Sequence, residues 1–82
     1  MTEEAIFEKL RGMIAEQFDL ELKDITMESS FADDFGADSI DLVELMMNVE
    51  DEFEIESITE EDVGEFTTVG KCVRYLAARL NG

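Results

Sequence analysis

The sequence predicts an all-α fold: a small helical bundle of three main helices, with a short extra helix before the last one and a long first loop. Three observations carry this reading. Apolar residues recur at three- and four-residue steps in three separate stretches, no stretch alternates apolar and polar residues as a half-buried strand does, and a capping residue type precedes each periodic run.

In the first helix, residues 3 to 18, Ile6, Phe7, Leu10, Met13, Ile14 and Phe18 share one face. Glu3, Glu4 and Glu8 occupy the first turns, and Thr2 is the expected cap. From Asp19 to Ala37 the periodicity fades. Leu20, Leu22, Ile25, Met27, Phe31 and Phe35 still recur often enough to pin a long loop onto a core, and Gly36 permits the turn into the next helix. That helix is expected from Ser39 to about Phe53, capped by Asp38, with Asp41 adding negative charge near the positive end of the helix dipole.

At 100° per residue, the apolar residues of this second helix fall into two opposed sets. Leu42, Leu45, Met46, Val49 and Phe53 run over four turns and are expected to face the core. Ile40, Val43 and Met47 lie on nearly the opposite side among Asp41, Glu44, Glu50 and Asp51, which predicts an exposed apolar strip edged by acids. Either a loop or neighbouring helix covers that strip, or it is a recognition face in which apolar residues supply contact area and acids steer a basic partner.

Residues 54 to 66 are acidic and irregular, with Ile55, Ile58, Val63 and Phe66 as anchors. Thr59-Glu60-Glu61-Asp62 reads as the capped start of a short helix that Gly64 limits. Thr67 or Thr68 caps the last helix, where Val69, Cys72, Val73, Leu76, Ala77 and Leu80 form a stripe. Arg74 and Arg79 suit its negative end, and Asn81-Gly82 stop it.

The 82 residues are expected to form one domain, residues 1–82, that buries only about 60% of its unfolded surface. With 22 acidic and 6 basic residues the formal net charge is −16, which repels nucleic acid. All six cations lie at the two ends: from Asp24 to Gly70 there are 16 acids and no Lys or Arg. This centre is either a solvated acidic surface or a docking surface for basic partners. No apolar run suffices to span a bilayer and no leader pattern opens the chain, so a cytoplasmic protein without stable membrane insertion is expected. The single cysteine, Cys72, reads as a small buried hydrophobe.

Enzymatic chemistry finds little support. The chain has no histidine, which removes the commonest general base and the usual zinc ligands. Asp38 and Asp41 form a carboxylate pair that helix capping already explains. The run from Asp33 to Glu44 fails the calcium-loop pattern because Phe35 and Ala37 occupy ligand positions, which leaves only weak cation association with the acid cluster; no defined metal site or Gly-rich phosphate loop is expected. Ser39 remains, an accessible hydroxyl at a helix start. It fits either plain capping chemistry or a site of modification, and a phosphate ester there gains from the helix N-terminus while Asp38 and Asp41 oppose it.

Gly36-Ala37-Asp38-Ser39-Ile40-Asp41-Leu42-Val43-Glu44-Leu45, followed by Glu50-Asp51-Glu52-Phe53 and by Phe66-Thr67-Thr68-Val69, closely resembles the bacterial acyl carrier proteins of fatty acid synthesis. The resemblance covers nearly the whole chain. It implies a carrier rather than an enzyme: Ser39 would receive 4′-phosphopantetheine from coenzyme A through a phosphopantetheinyl transferase, and the arm's thiol would hold acyl groups as thioesters. It also implies that Asp38, Ile40, Asp41, Val43, Glu44, Met47, Glu50 and Asp51 meet basic docking patches on fatty acid synthesis enzymes, that the carrier is a monomer, and that the acyl chain slips between helices near Leu42, Met46, Ile58 and Ala77. Ile40 stands where leucine is usual, and Ile58-Thr59 where the family commonly has Ile-Pro, in a connection that is one residue longer. Carriers of polyketide, nonribosomal peptide or D-alanine pathways share the modified serine. An acidic helical interaction module that is never modified is the alternative from a different class.

Overall fold

The computed structural model of the chain describes residues 1–81. Four α-helices form among them: α1 (Glu3–Phe18), α2 (Ser39–Phe53), α3 (Glu60–Val63) and α4 (Val69–Asn81). Helix α1 packs against both α2 and α4, and α3 leans on α2. None of the helices is long and apolar enough to cross a membrane.

Each helix begins where a side chain satisfies an otherwise orphaned N–H. The hydroxyl of Thr2 accepts from the Ala5 N–H at 3.1 Å, that of Thr59 from Asp62 at 3.1 Å, and that of Thr68 from Lys71 at 3.3 Å. Such caps contribute about 1 kcal/mol each. Thr68, not Thr67, therefore opens α4. Gly64 ends α3 as expected, whereas α1 and α2 stop without glycine, on Asp19 and Glu54 with φ of 56° and 55°, in the left-handed region. Asn81 is the last helical residue; Gly82, the other half of the expected stop, lies outside the described residues.

The core joins Ile6, Leu10 and Ile14 of α1, Leu45, Met46, Val49 and Phe53 of α2, and Val69, Cys72, Val73 and Leu76 of α4. At roughly 1.5–3 kcal/mol per buried side chain, these stripes are the main stabilising contribution. Cys72 is completely buried, and that burial pushes its thiol up to about 12, so it stays protonated and inert.

The first loop is anchored, as its apolar residues predict, with one correction. Ile25 and Phe31 are buried, and Phe35 stacks against Phe18 and meets Phe31 edge-on. Leu22, however, is 51% exposed. It opens a 3-10 turn, Leu22–Asp24, whose carbonyl is taken by the Arg11 Nε–H at 2.8 Å, and the buried apolar position passes to Ile25.

Backbone hydrogen bonds then stitch the loop onto the start of α4. Phe31 N–H donates to Thr67, Val69 N–H to Ser29 and Gly70 N–H to Met27, at 3.2, 3.0 and 2.8 Å, around an isolated antiparallel bridge between Ser30 and Thr68. Glycine at position 70 makes this approach possible: a Cβ there would stand 2.9 Å from the Met27 carbonyl oxygen. Gly70→Ala is expected to cost about 1–3 kcal/mol by forcing loop and helix apart. Urea denaturation checks this, and an unchanged midpoint would show that the seam is not a close fit.

Candidate functional site

The site is assembled around the first turn of α2. Residues 30 to 37 close on themselves through Asp34 N–H to Ser30, Gly36 N–H to Ala32 and Ala37 N–H to Phe31. Gly36, at φ 67°, makes the left-handed step that an L side chain resists. Asp38 arrives in extended conformation and caps α2: its Oδ1 accepts the Asp41 N–H at 2.9 Å, while Asp41 Oδ2 accepts the Asp38 N–H at 3.2 Å. This reciprocal capping box goes beyond the dipole role expected for Asp41. Gln17 of α1 donates its amide to the Asp41 carbonyl at 3.0 Å, tying the turn to the bundle.

Ser39 is the first residue of α2 and is exposed. Because Asp38 supplies the cap, the serine side chain is left accessible. The next residues outward are the apolar strip of Ile40, Val43 and Met47, exposed by 74, 38 and 60%. Among the described residues, no loop or helix covers it.

The strip forms one wall of an open groove of about 1000 Å³ that Ser39 also lines. Phe31 and Ala37 line it from the loop, and Val63 and Phe66 from α3 and the residues after it. Those walls were not legible as groove lining, because contacts between elements leave no periodicity of their own. Of the four residues expected along an acyl path, only Leu42 lines this groove. Met46 is buried in the core, and Ile58 and Ala77 are half-buried against it.

The acids around the strip divide into two groups. Glu44 and Asp51 are exposed, whereas Asp38 and Asp41 are engaged with each other, and Glu50 is half-buried with its carboxylate accepting the Ile58 N–H at 2.8 Å. Chemically, the site offers a hydroxyl, flanking carboxylates and an apolar groove. Among the described residues, no cluster of three or more His, Cys, Asp or Glu is placed to hold a metal.

The comparisons agree with one another. The family described as the phosphopantetheine attachment site matches residues 8–76. An acyl carrier protein of Clostridium acetobutylicum is 47% identical over 73 residues, covering 89% of this chain and 94% of the relative. One from Clostridium perfringens is 49% identical over 71 residues, covering 87% and 92%. A solved structure of the acyl carrier protein from Enterococcus faecalis superimposes with a TM-score of 0.79 at 35% identity, over 96% of this chain and 99% of that one.

Proposed function

The chain belongs to the phosphopantetheine-attachment family of acyl carrier proteins, and from that premise we propose that Ser39 is the residue to which its 4′-phosphopantetheine arm is joined. The protein carries acyl groups as thioesters in fatty acid synthesis. The observation that supports Ser39 is its placement: an exposed hydroxyl on the first turn of α2, freed from capping by Asp38, lining a groove with largely apolar walls.

A phosphopantetheinyl transferase supplies what this chain lacks. The Ser39 Oγ–P bond would form as the pyrophosphate P–O bond of coenzyme A breaks and its nucleotide half departs, with the serine proton passing to a base on the transferase. When bound, the arm contributes a thiol on a long tether, which raises the local concentration of the intermediate at each docked enzyme. The carrier's own residues do the rest. Ile40, Val43 and Met47 offer contact area, and Glu44 and Asp51 supply free negative charge beside it.

We further infer a cytoplasmic monomer in which residues 1–82 form one acyl carrier domain. Its partners, the transferase and the synthesis enzymes, meet α2 through basic patches. Intact mass after incubation with coenzyme A and a phosphopantetheinyl transferase tests the attachment; a protein that gains no phosphopantetheine would overturn it.

The docking face has its own test. Replacing both Glu44 and Asp51 by lysine is expected to weaken transferase binding at least about tenfold at low salt, with the difference shrinking as salt rises. Helical content by circular dichroism stays unchanged, because both side chains are exposed. Equal affinity of variant and parent at low salt would remove these two acids from the docking face.

A further inference from the structure

The last turn of α1 holds the segment that carries Ser39 from both of its ends. Phe18 stacks on Phe35, one residue before Gly36, with ring centroids 6.2 Å apart. Gln17, the residue beside it, donates its amide to the Asp41 carbonyl at 3.0 Å, two residues after Ser39. The first turn of α2 has few other holds. Ser39 and Ile40 are exposed, Asp41 and Leu42 are half-buried, and the fully buried stripe of α2 begins only at Leu45. The capping box between Asp38 and Asp41 fixes the shape of the turn but, being local, not its place against the bundle. Among the described residues, Gln17 is the only side chain outside α2 and its cap that hydrogen-bonds this turn.

The bond has an unfavourable side. A carbonyl only accepts, so the NH2 group of Gln17 must face Asp41 and its Oε1 must turn away. There Oε1 is buried without a partner among the described residues. An unpaired buried acceptor opposes folding, and an apolar side chain of the same length removes that penalty. We infer that Gln17 is a positioning residue for the attachment reaction: it holds the first turn of α2, and with it the Ser39 hydroxyl, at the placement from which that hydroxyl attacks the phosphorus of coenzyme A on the transferase. This rests on Ser39 being the attachment point. Alignment is the physical reason, since a displacement of about 1 Å costs a reaction about a hundredfold.

Gln17→Met tests this, because methionine keeps the length while removing both the donor and the orphaned oxygen. The Asp41 carbonyl keeps its place in the helical ladder. The urea midpoint is expected to stay at or above the parental value. Amide hydrogen exchange followed by NMR is expected to quicken about fivefold at Asp41 and Leu42, the effect of losing one neutral hydrogen bond, with Leu10 and Ile14 of α1 unchanged. In single turnover with coenzyme A and excess phosphopantetheinyl transferase, the saturated rate of mass gain is expected to fall about tenfold. The transferase concentration that gives half this rate stays within about twofold. A merely structural role does not pair retained stability with a lost rate. Parental exchange at Asp41 and Leu42, or a parental saturated rate, overturns the inference. So does a loss confined to the half-saturating concentration, which makes Gln17 a docking residue. A lowered midpoint with faster exchange at Leu10 and Ile14 also overturns it, by making Gln17 a general stabiliser. The exchange measurement needs no coenzyme A. A parent that gains no mass removes the carrier reading and this inference with it, whereas parent and variant gaining mass at one rate remove the inference alone.

Discussion

Ser39→Ala is expected to take up no phosphopantetheine from coenzyme A while keeping the fold of the parent. The loss is complete because the side-chain oxygen of Ser39 is the atom that forms the new bond, and the other serines near α2 are placed differently. Ser29 is buried, with its hydroxyl against Thr26. Ser30 uses its hydroxyl to accept the Asp33 N–H at 3.1 Å. Ser57 is exposed but lies in the α2–α3 connection, beside Glu50 and away from the first turn of α2. Stability is expected to change by less than about 0.5 kcal/mol, the usual range for an exposed position outside a cap. The cap itself survives, because Asp38 and Asp41 make it without Ser39. Intact mass and a thermal melt check both halves, and Ser57→Ala serves as a control that keeps the addition. Addition that persists in Ser39→Ala would transfer the site to another hydroxyl.

Phe31→Ala has the largest expected effect on stability, about 3–5 kcal/mol. Phe31 is 1% exposed and packs edge-on against Phe35 with ring centroids 5.8 Å apart. Its backbone is equally committed, donating to Thr67 and accepting from Ala37 at 3.2 and 2.9 Å. An 82-residue domain is stabilised by only about 4–12 kcal/mol in total, so this one truncation removes a large share. The consequence reaches the site. Residues 32 to 38 pass from Phe31 to Ser39, and without the anchor their closure onto α2 loosens. Urea denaturation is expected to show the midpoint falling by roughly half. Modification of the variant is expected to be slower than that of the parent at a temperature where both remain folded. A variant with the parental midpoint would mean that the loop is held by its backbone bonds alone.

What the sequence determined by itself was local. The three main helices, the caps at Thr2, Asp38 and Thr59, and the outward strip of Ile40, Val43 and Met47 were all legible, because they depend on residues three or four positions apart. The functional reading of Ser39 came from the resemblance carried by Gly36 to Leu45, since a serine after an aspartate at a helix start is ordinary capping chemistry.

Tertiary structure alone decided what is contributed from a distance. Leu22 and Ile25 are both apolar loop residues, and only the 3-10 turn held by Arg11 turned one outward and the other inward. The eight residues expected on the docking face looked equivalent in sequence, yet Asp38 and Asp41 are engaged in a cap, Glu50 holds Ile58, and Glu44 and Asp51 remain exposed. The groove beside Ser39 required α3 and the loop to face α2, and the loop's seat required its bonds to Thr67, Val69 and Gly70. The physical reason is the same in each case. A hydrogen bond or contact across many residues of chain imposes no repeat on the sequence, so it becomes visible only when the folded backbone brings the two ends together.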